Sequence, residues 1–281
     1  TREDFSDERY SPVFSPTAYP GQTVSMKLYL DQWNGNETPG VAPYVRTCSD
    51  KKDHLRGYIK LVQHQWIDVT FTIPDTQGDM VDEVGVVLEG YAPASFKTLG
   101  KIYLDEFSIQ GKSSYRIDMS KQRKNFAAIT PFSMDHGAWN LYCGTLNLMR
   151  NEPAFAYTGN YYARDYVIAA PVTPLHGASH LLVGRSLGAK RFYAAGLDEA
   201  GKAVILKNDF GFKTLASCDL NWKVGETYQM ELRLEGDAIQ LSINGTPVLS
   251  VRDDSFDHGM FGCGSRQMGR TAFGNFTFQE L

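Results

Sequence analysis

Cysteine is scarce in this chain: four in 281 residues, at Cys48, Cys143, Cys218 and Cys263. None stands in Cys-x-x-Cys spacing, so no zinc site is signalled. Each sits beside apolar or small residues, and buried free thiols are expected. Long apolar runs are absent too. No uninterrupted stretch approaches the ~20 residues a membrane span needs. Nor does charge of one sign dominate: 28 Lys and Arg against 32 Asp and Glu leave a net −4. That argues against a nucleic-acid partner, because no basic face is implied that could neutralise phosphates. The short basic run Lys121, Arg123 and Lys124 reads as a solvated strand or loop.

Catalytic signatures are missing as well. There is no Gly-x-Ser-x-Gly elbow, no His-Glu-x-x-His and no phosphate loop. A glycosidase needs two carboxylates ~5–9 Å apart across one cleft. The Glu-x-Asp-x-x-Glu string of sheet glycosidases does not occur. Asp105 and Glu106 are strand neighbours and so point to opposite faces. Asp253-Asp254 reads as a turn after a strand. His136, His176, His180 and His258 lack metal spacing and are expected in loops or at edges. The chain is expected to be non-catalytic. It begins Thr1-Arg2-Glu3-Asp4 without an initiator Met, and is expected to be a piece of a longer protein.

What is present is alternation. Tyr228, Met230, Leu232 and Leu234 alternate with polar residues, which is the period of a half-buried strand. Gly236-Asp237 turns the chain, Ile239, Leu241 and Ile243 alternate again, and Asn244-Gly245 suits a tight hairpin because both residues tolerate positive φ. Val248 to Val251 completes a meander. Earlier, Val24, Met26, Leu28 and Leu30 face one way. Val69, Phe71 and Ile73 do the same, and Pro74 closes that strand. Further strands are expected at 44–47, 84–88 and 100–110, and at 180–187, 190–197 and 203–209. No segment of the first 111 residues keeps a helical repeat for three turns. The class is all-β: two tandem antiparallel β-sandwiches, residues 1–112 and 113–281, joined at the Gly- and Ser-rich stretch 110–114.

The order Pro-Gly-Gln-Thr-Val, then Trp-x-x-Val-x-Phe-x-Ile-Pro, then Gly-x-Ile-Tyr-Leu-Asp-Glu-Phe resembles galactose-binding-like jelly rolls, a layout shared by several carbohydrate-binding modules. The meander from Tyr228, with the stretch from Gly259 to Phe278, resembles concanavalin A-like (laminin-G-like) jelly rolls. W-x-L-x-x-G-x-L-x-L, Y-T-G-N-Y-Y-A-x-D and K-N-D-F-G-F together are similar to the non-catalytic C-terminal region of some bacterial ADP-ribosylglycohydrolase-family proteins. These likenesses imply an accessory region tethering an upstream catalytic domain to a glycan or an ADP-ribose-like target. The alternative is a structural module that packs on the catalytic domain and stabilises it.

Asp105 shares an extended-strand face with Tyr103, Phe107 and Ile109, and a carboxylate there needs a partner. The galactose-binding-like resemblance implies a structural Ca2+ at that aspartate; a backbone- or Arg-bonded aspartate at a bulge is the alternative. Trp33 sits in a polar loop, where it either stacks on a pyranose face or folds over its own loop. Trp66 is expected in the core. Sugar sites combine aromatic faces with planar hydrogen-bonding groups. The second sandwich offers Tyr161, Tyr162, Arg185, Arg191, Tyr193, Asn208, Asp209, Phe210 and Arg266. If Phe192 is core, Arg191 and Tyr193 point outward, with Arg185 and Asn208-Asp209 on neighbouring strands. The alternative is a solvated or interdomain face.

Overall fold

The computed structural model describes residues 18–35, 37–48, 53–89, 100–125, 128–150, 153–199 and 201–281. The loop expected from Phe5 to Pro20 and the turn expected from Asp50 to Asp53 fall largely outside these. Two compact units are present. One is formed by Ala18–Thr76 and Met80–Ser113, the other by Ser114–Leu281 with Gln77–Asp79.

Among the described residues the first unit has seven strands: β1 (Thr23–Trp33), β2 (Gly40–Thr47), β3 (Asp53–Leu55), β4 (Ile59–Lys60), β5 (Trp66–Thr72), β6 (Val81–Leu88) and β7 (Gly100–Gln110). β1 lies between β5 and β7, and β2 pairs with β3, β4 and β6. The inward side of β1, at Val24, Met26, Leu28 and Leu30, packs with Val69 and Phe71 of β5 and Val41 and Val45 of β2. The alternation read from the sequence is therefore the sandwich core.

Of the two alternatives for Trp33 one is observed, and the expectation for Trp66 is reversed. Trp33 is buried, and its indole N–H donates to the Glu37 carbonyl at 2.6 Å. Its ring folds over its own loop and offers no face for stacking. Trp66, expected in the core, is 50% exposed. It opens β5 opposite Tyr29, in phase with the solvent side, while Ile67 turns inward.

The face assigned to Asp105 also changes. β7 carries a bulge opposite Ser25 to Lys27, with Glu106 at φ 51°. The extra residue inverts the alternation beyond it. Asp105 lies on the outward side with Tyr103, while Ile109 packs into the core. The positive φ also lets Glu106 reach Lys27, at 2.8 Å.

The second unit continues with β8 (Ser114–Ile117), β9 (Lys124–Asn125), β10 (Ala128–Ile129), β11 (Ser133–Met134), β12 (Ala138–Tyr142) and β13 (Thr145–Arg150). Next come β14 (Ala154–Thr158), β15 (Tyr166–Gly177), β16 (His180–Gly188), β17 (Arg191–Asp198), β18 (Lys202–Asp209) and β19 (Phe212–Asp219). The last six are β20 (Tyr228–Glu235), β21 (Ala238–Ile243), β22 (Thr246–Arg252), β23 (Met260–Ser265), β24 (Gly269–Phe273) and β25 (Phe276–Glu280). One sheet of seven runs β11-β14-β23-β16-β17-β18-β19. The other, of nine, runs β12-β13-β24-β15-β20-β21-β22, with β25 joining β15 to β8. Every pairing is antiparallel, and one apolar core draws on both sheets. The meander at β20 to β22 is as expected, down to the turn, where Asn244 and Gly245 both have positive φ.

β19 was not expected. Phe212, Leu215, Ala216 and Cys218 do not alternate strictly, because a register shift interrupts its pairing with β18. Cys143, expected buried, is exposed in the β12–β13 turn; Cys263 is fully buried. His180, expected in a loop or at an edge, is buried within β16 and bonds Thr271 at 2.7 Å.

Candidate functional site

The β17–β18 hairpin organises the site. Arg191 pairs with Asp209, Phe192 with Asn208, and Tyr193 with Lys207. Phe192 belongs to an outer cluster with Phe155 and Phe212, whereas Tyr193 belongs to the main core. Both are fully buried. The expectation that a core Phe192 leaves Tyr193 outward therefore fails: this sheet is covered on both faces. The Tyr193 hydroxyl donates to Asp253 Oδ1 at 2.6 Å and holds the loop after β22.

At the hairpin's end the chain makes a tight turn around Phe210. Its φ is 55°, an unusual conformation for a bulky residue. The Phe210 N–H donates to Lys190 O at 2.9 Å, and the Asp209 N–H donates to Gly211 O at 3.2 Å. The ring is left 78% exposed. It lines a cleft of about 300 Å³. Its lining includes Phe155 and Phe212, with ring centroids 6.0 Å apart, and Asp135, His136, Lys190 and Asn208; Phe155 itself is almost fully buried. His136 Nδ1 and Asp135 Oδ1 are 2.8 Å apart, and the Asn208 amide donates to Ala189 O at 3.5 Å. Apolar rings beside planar polar groups can hold the C–H face of a sugar and its hydroxyls together.

Only Asn208 and Phe210 of the expected residues meet in this cleft. Arg191 and Asp209 lie on the other side of the hairpin, paired at 3.3 Å, with the Arg191 guanidinium 5.2 Å from the Phe256 ring. Arg185 is almost fully buried and does not face solvent. Its guanidinium donates to Arg164 O, Gly236 O, Phe256 O and the Asp165 carboxylate at 2.7 to 3.2 Å. It ties three loops together. Arg266 is also structural: it pairs with the buried Asp198 at another corner of the sheet.

Tyr161 and Tyr162 stand at the end that Arg185 ties. Tyr162 is 75% exposed and lies parallel to His258, and Tyr161 is edge-on to both. Asp257 bonds His258 at 2.6 Å and Arg164 at 2.7 Å. A hydrogen bond from His258 holds the Asp257 carboxyl below its usual range. A neighbouring cavity of about 240 Å³ is lined by four carboxylates, at Asp165, Asp237, Asp254 and Asp257. Three of these bond arginines: Asp165 to Arg185, Asp237 to Arg252, Asp257 to Arg164.

Asp105 is exposed opposite Lys27, and its Oδ1 accepts the Glu106 N–H at 2.8 Å. Among the described residues no three His, Cys, Asp or Glu side chains converge on a metal position.

Sequence reasoning missed Asp135, His136 and Lys190. Asp135 and His136 come from a segment far from β18 in the chain, whereas Lys190 directly precedes β17 and meets Phe210 through the β17–β18 hairpin.

No family model and no curated protein matches the sequence. Solved structures do resemble it. A carbohydrate-binding module, CBM66, from Bacillus subtilis matches at 19% identity with a TM-score of 0.50, covering 53% of this chain and 95% of that one. A Bacillus subtilis protein of unknown function with a galectin-like fold matches at 13% identity, TM-score 0.43, covering 53% and 89%. Domain 4 of the arabinanase AbnA from Geobacillus stearothermophilus, in complex with arabinotriose, matches at 11% identity, TM-score 0.39, covering 53% and 82%. The first likeness is one of fold: over about half of this chain the two share a β-sandwich.

Proposed function

We propose that this chain is a non-catalytic carbohydrate-binding region and that the cleft lined by Phe210 is its sugar site. The observation that carries this reading is the Phe210 ring. It is held in a left-handed conformation and left in solvent, lining a cleft shared with Phe212, Asn208, Asp135, His136 and Lys190. Strained, exposed residues of this kind cluster at ligand sites. The fold shared with a module whose name records carbohydrate binding supports the same reading.

The resemblance to the C-terminal region of ADP-ribosylglycohydrolase-family proteins extends the proposal. In a longer polypeptide this region tethers an upstream catalytic domain to its glycan or ADP-ribose-like target. The test is calorimetric titration of the intact chain with a panel of neutral oligosaccharides and with ADP-ribose. At least one ligand binds, and Phe210→Ala weakens it tenfold or more without lowering the melting temperature. Unchanged affinity for every ligand of the panel in that variant, or no binding by any ligand, overturns the reading.

A further inference from the structure

A second set of rings lies on the first unit, away from the Phe210 cleft in the chain. β1 is central in its three-stranded sheet, and its outward residues meet outward residues on both neighbours. Tyr29 stands opposite Trp66 of β5 and Tyr103 of β7. One step along, Lys27 stands opposite Asp68 and Asp105; the next row is Thr70, Ser25 and Ser108. Trp66 and Tyr103 are 50% and 51% exposed. The Tyr29 centroid is 5.2 Å from Trp66 and 6.4 Å from Tyr103, with interplanar angles of 41° and 47°.

We infer that this face is a second glycan site, one that takes an extended, uncharged pyranose chain with equatorial hydroxyls lying across the strands. Trp66 and Tyr103 are two strand spacings apart, about 10 Å. That span exceeds one pyranose ring and suits a short stretch of chain. Successive rings are tilted, so the row follows a twisting soluble chain and does not form a flat plane. Equatorial hydroxyls leave the C–H faces of the sugar bare for the rings. They also point sideways, towards the adjacent row of carboxylates and the row of hydroxyls beyond it.

The charge on this face selects further. Asp68, Asp105 and Glu106 outnumber Lys27, which disfavours an acidic glycan. The bulge at Glu106 contributes to the site: it brings Tyr103, Asp105 and Ser108 to one side, which a regular strand would not do.

The experiment uses the intact chain with cellohexaose and xylohexaose as neutral probes and polygalacturonate as the charged one. Calorimetry gives affinity, and tryptophan fluorescence reports on Trp66. At least one neutral hexaose binds and shifts the emission. Trp66→Ala and Tyr103→Ala each weaken that binding tenfold or more with melting unchanged, while Phe210→Ala leaves it as it was. Because both rings are half exposed, Tyr103→Ala keeps the test sound if Trp66→Ala folds poorly. The inference is overturned if neither hexaose binds, if both platform variants bind like the parent chain, or if polygalacturonate binds more tightly. It is also overturned if Phe210→Ala alone abolishes hexaose binding. In that case the cleft reading stands and this one falls.

Discussion

Phe192 and Tyr193 are consecutive residues of one strand, both fully buried, on opposite sides of the same sheet. A strand covered on both faces has no flat surface to offer a ligand. On this sheet the projecting rings are therefore at turns and ends, as Phe210 and Tyr162 are.

Phe210 combines strain with exposure. Glycine adopts its φ without the Cβ penalty but loses more entropy on folding. Phe210→Gly is expected to leave stability no lower, and higher by up to about 1 kcal/mol, in urea unfolding. Glycan affinity falls in the same variant. A marked loss of stability would show that the ring braces the fold.

Asp253 accepts hydrogen bonds from Tyr193, Lys207 and Ser255. Burial alone would raise its carboxyl, but these donors outweigh burial and hold it well below the usual range. Its stabilising effect is complete above the ordinary carboxylate pKa, near 4, and is lost as pH falls further. Asp253→Ala strands Lys207 and the Tyr193 hydroxyl, and should cost about 2–4 kcal/mol in chemical unfolding at pH 7.

Burial lowers the pKa of His180 from its ordinary value to about 4. The unfolded chain takes up that proton near 6.5 and the folded chain does not. Stability from this residue is therefore full above pH 6.5 and declines as pH falls to 4, by on the order of 3 kcal/mol. Unfolding curves at pH 7.5 and 4.5 measure the difference, and His180→Asn should flatten that part of the pH dependence.

Arg185 satisfies three loop carbonyls and Asp165 while almost fully buried. Arg185→Ala leaves those acceptors unpaired and is expected to cost about 3–5 kcal/mol. Arg185→Lys keeps the charge without the planar fork and should recover only part of that loss. Equal stability of the lysine variant and the parent would refute the stapling role.

Cysteine chemistry should be uneven. Cys143 is exposed, and Cys263 is fully buried with its thiol pKa pushed up by burial. A thiol reagent added to the native chain should modify Cys143 quickly and Cys263 only on unfolding. Cys143→Ser should remove the fast phase.

Period-two patterning was legible wherever a strand has one wet face. Val24 to Leu30 and Tyr228 to Leu234 announce both the strand and its buried side, because alternation is a local property of the backbone. β19 was invisible because a register shift breaks that rhythm. The Asp105 face was misread because a one-residue bulge inverts the pattern.

The two tryptophans show where local reading stops. Trp33 and Trp66 both adjoin polar segments, yet one closes over its loop and the other stands in solvent beside Tyr29 and Tyr103. The chain by itself determined the all-β class, many of the strands and which neighbours share a side. The tertiary structure decided which sides are covered, which strands lie next to one another and so which rings and polar groups meet. Burial depends on the sheet or loop that packs across a face, and no local pattern encodes that partner.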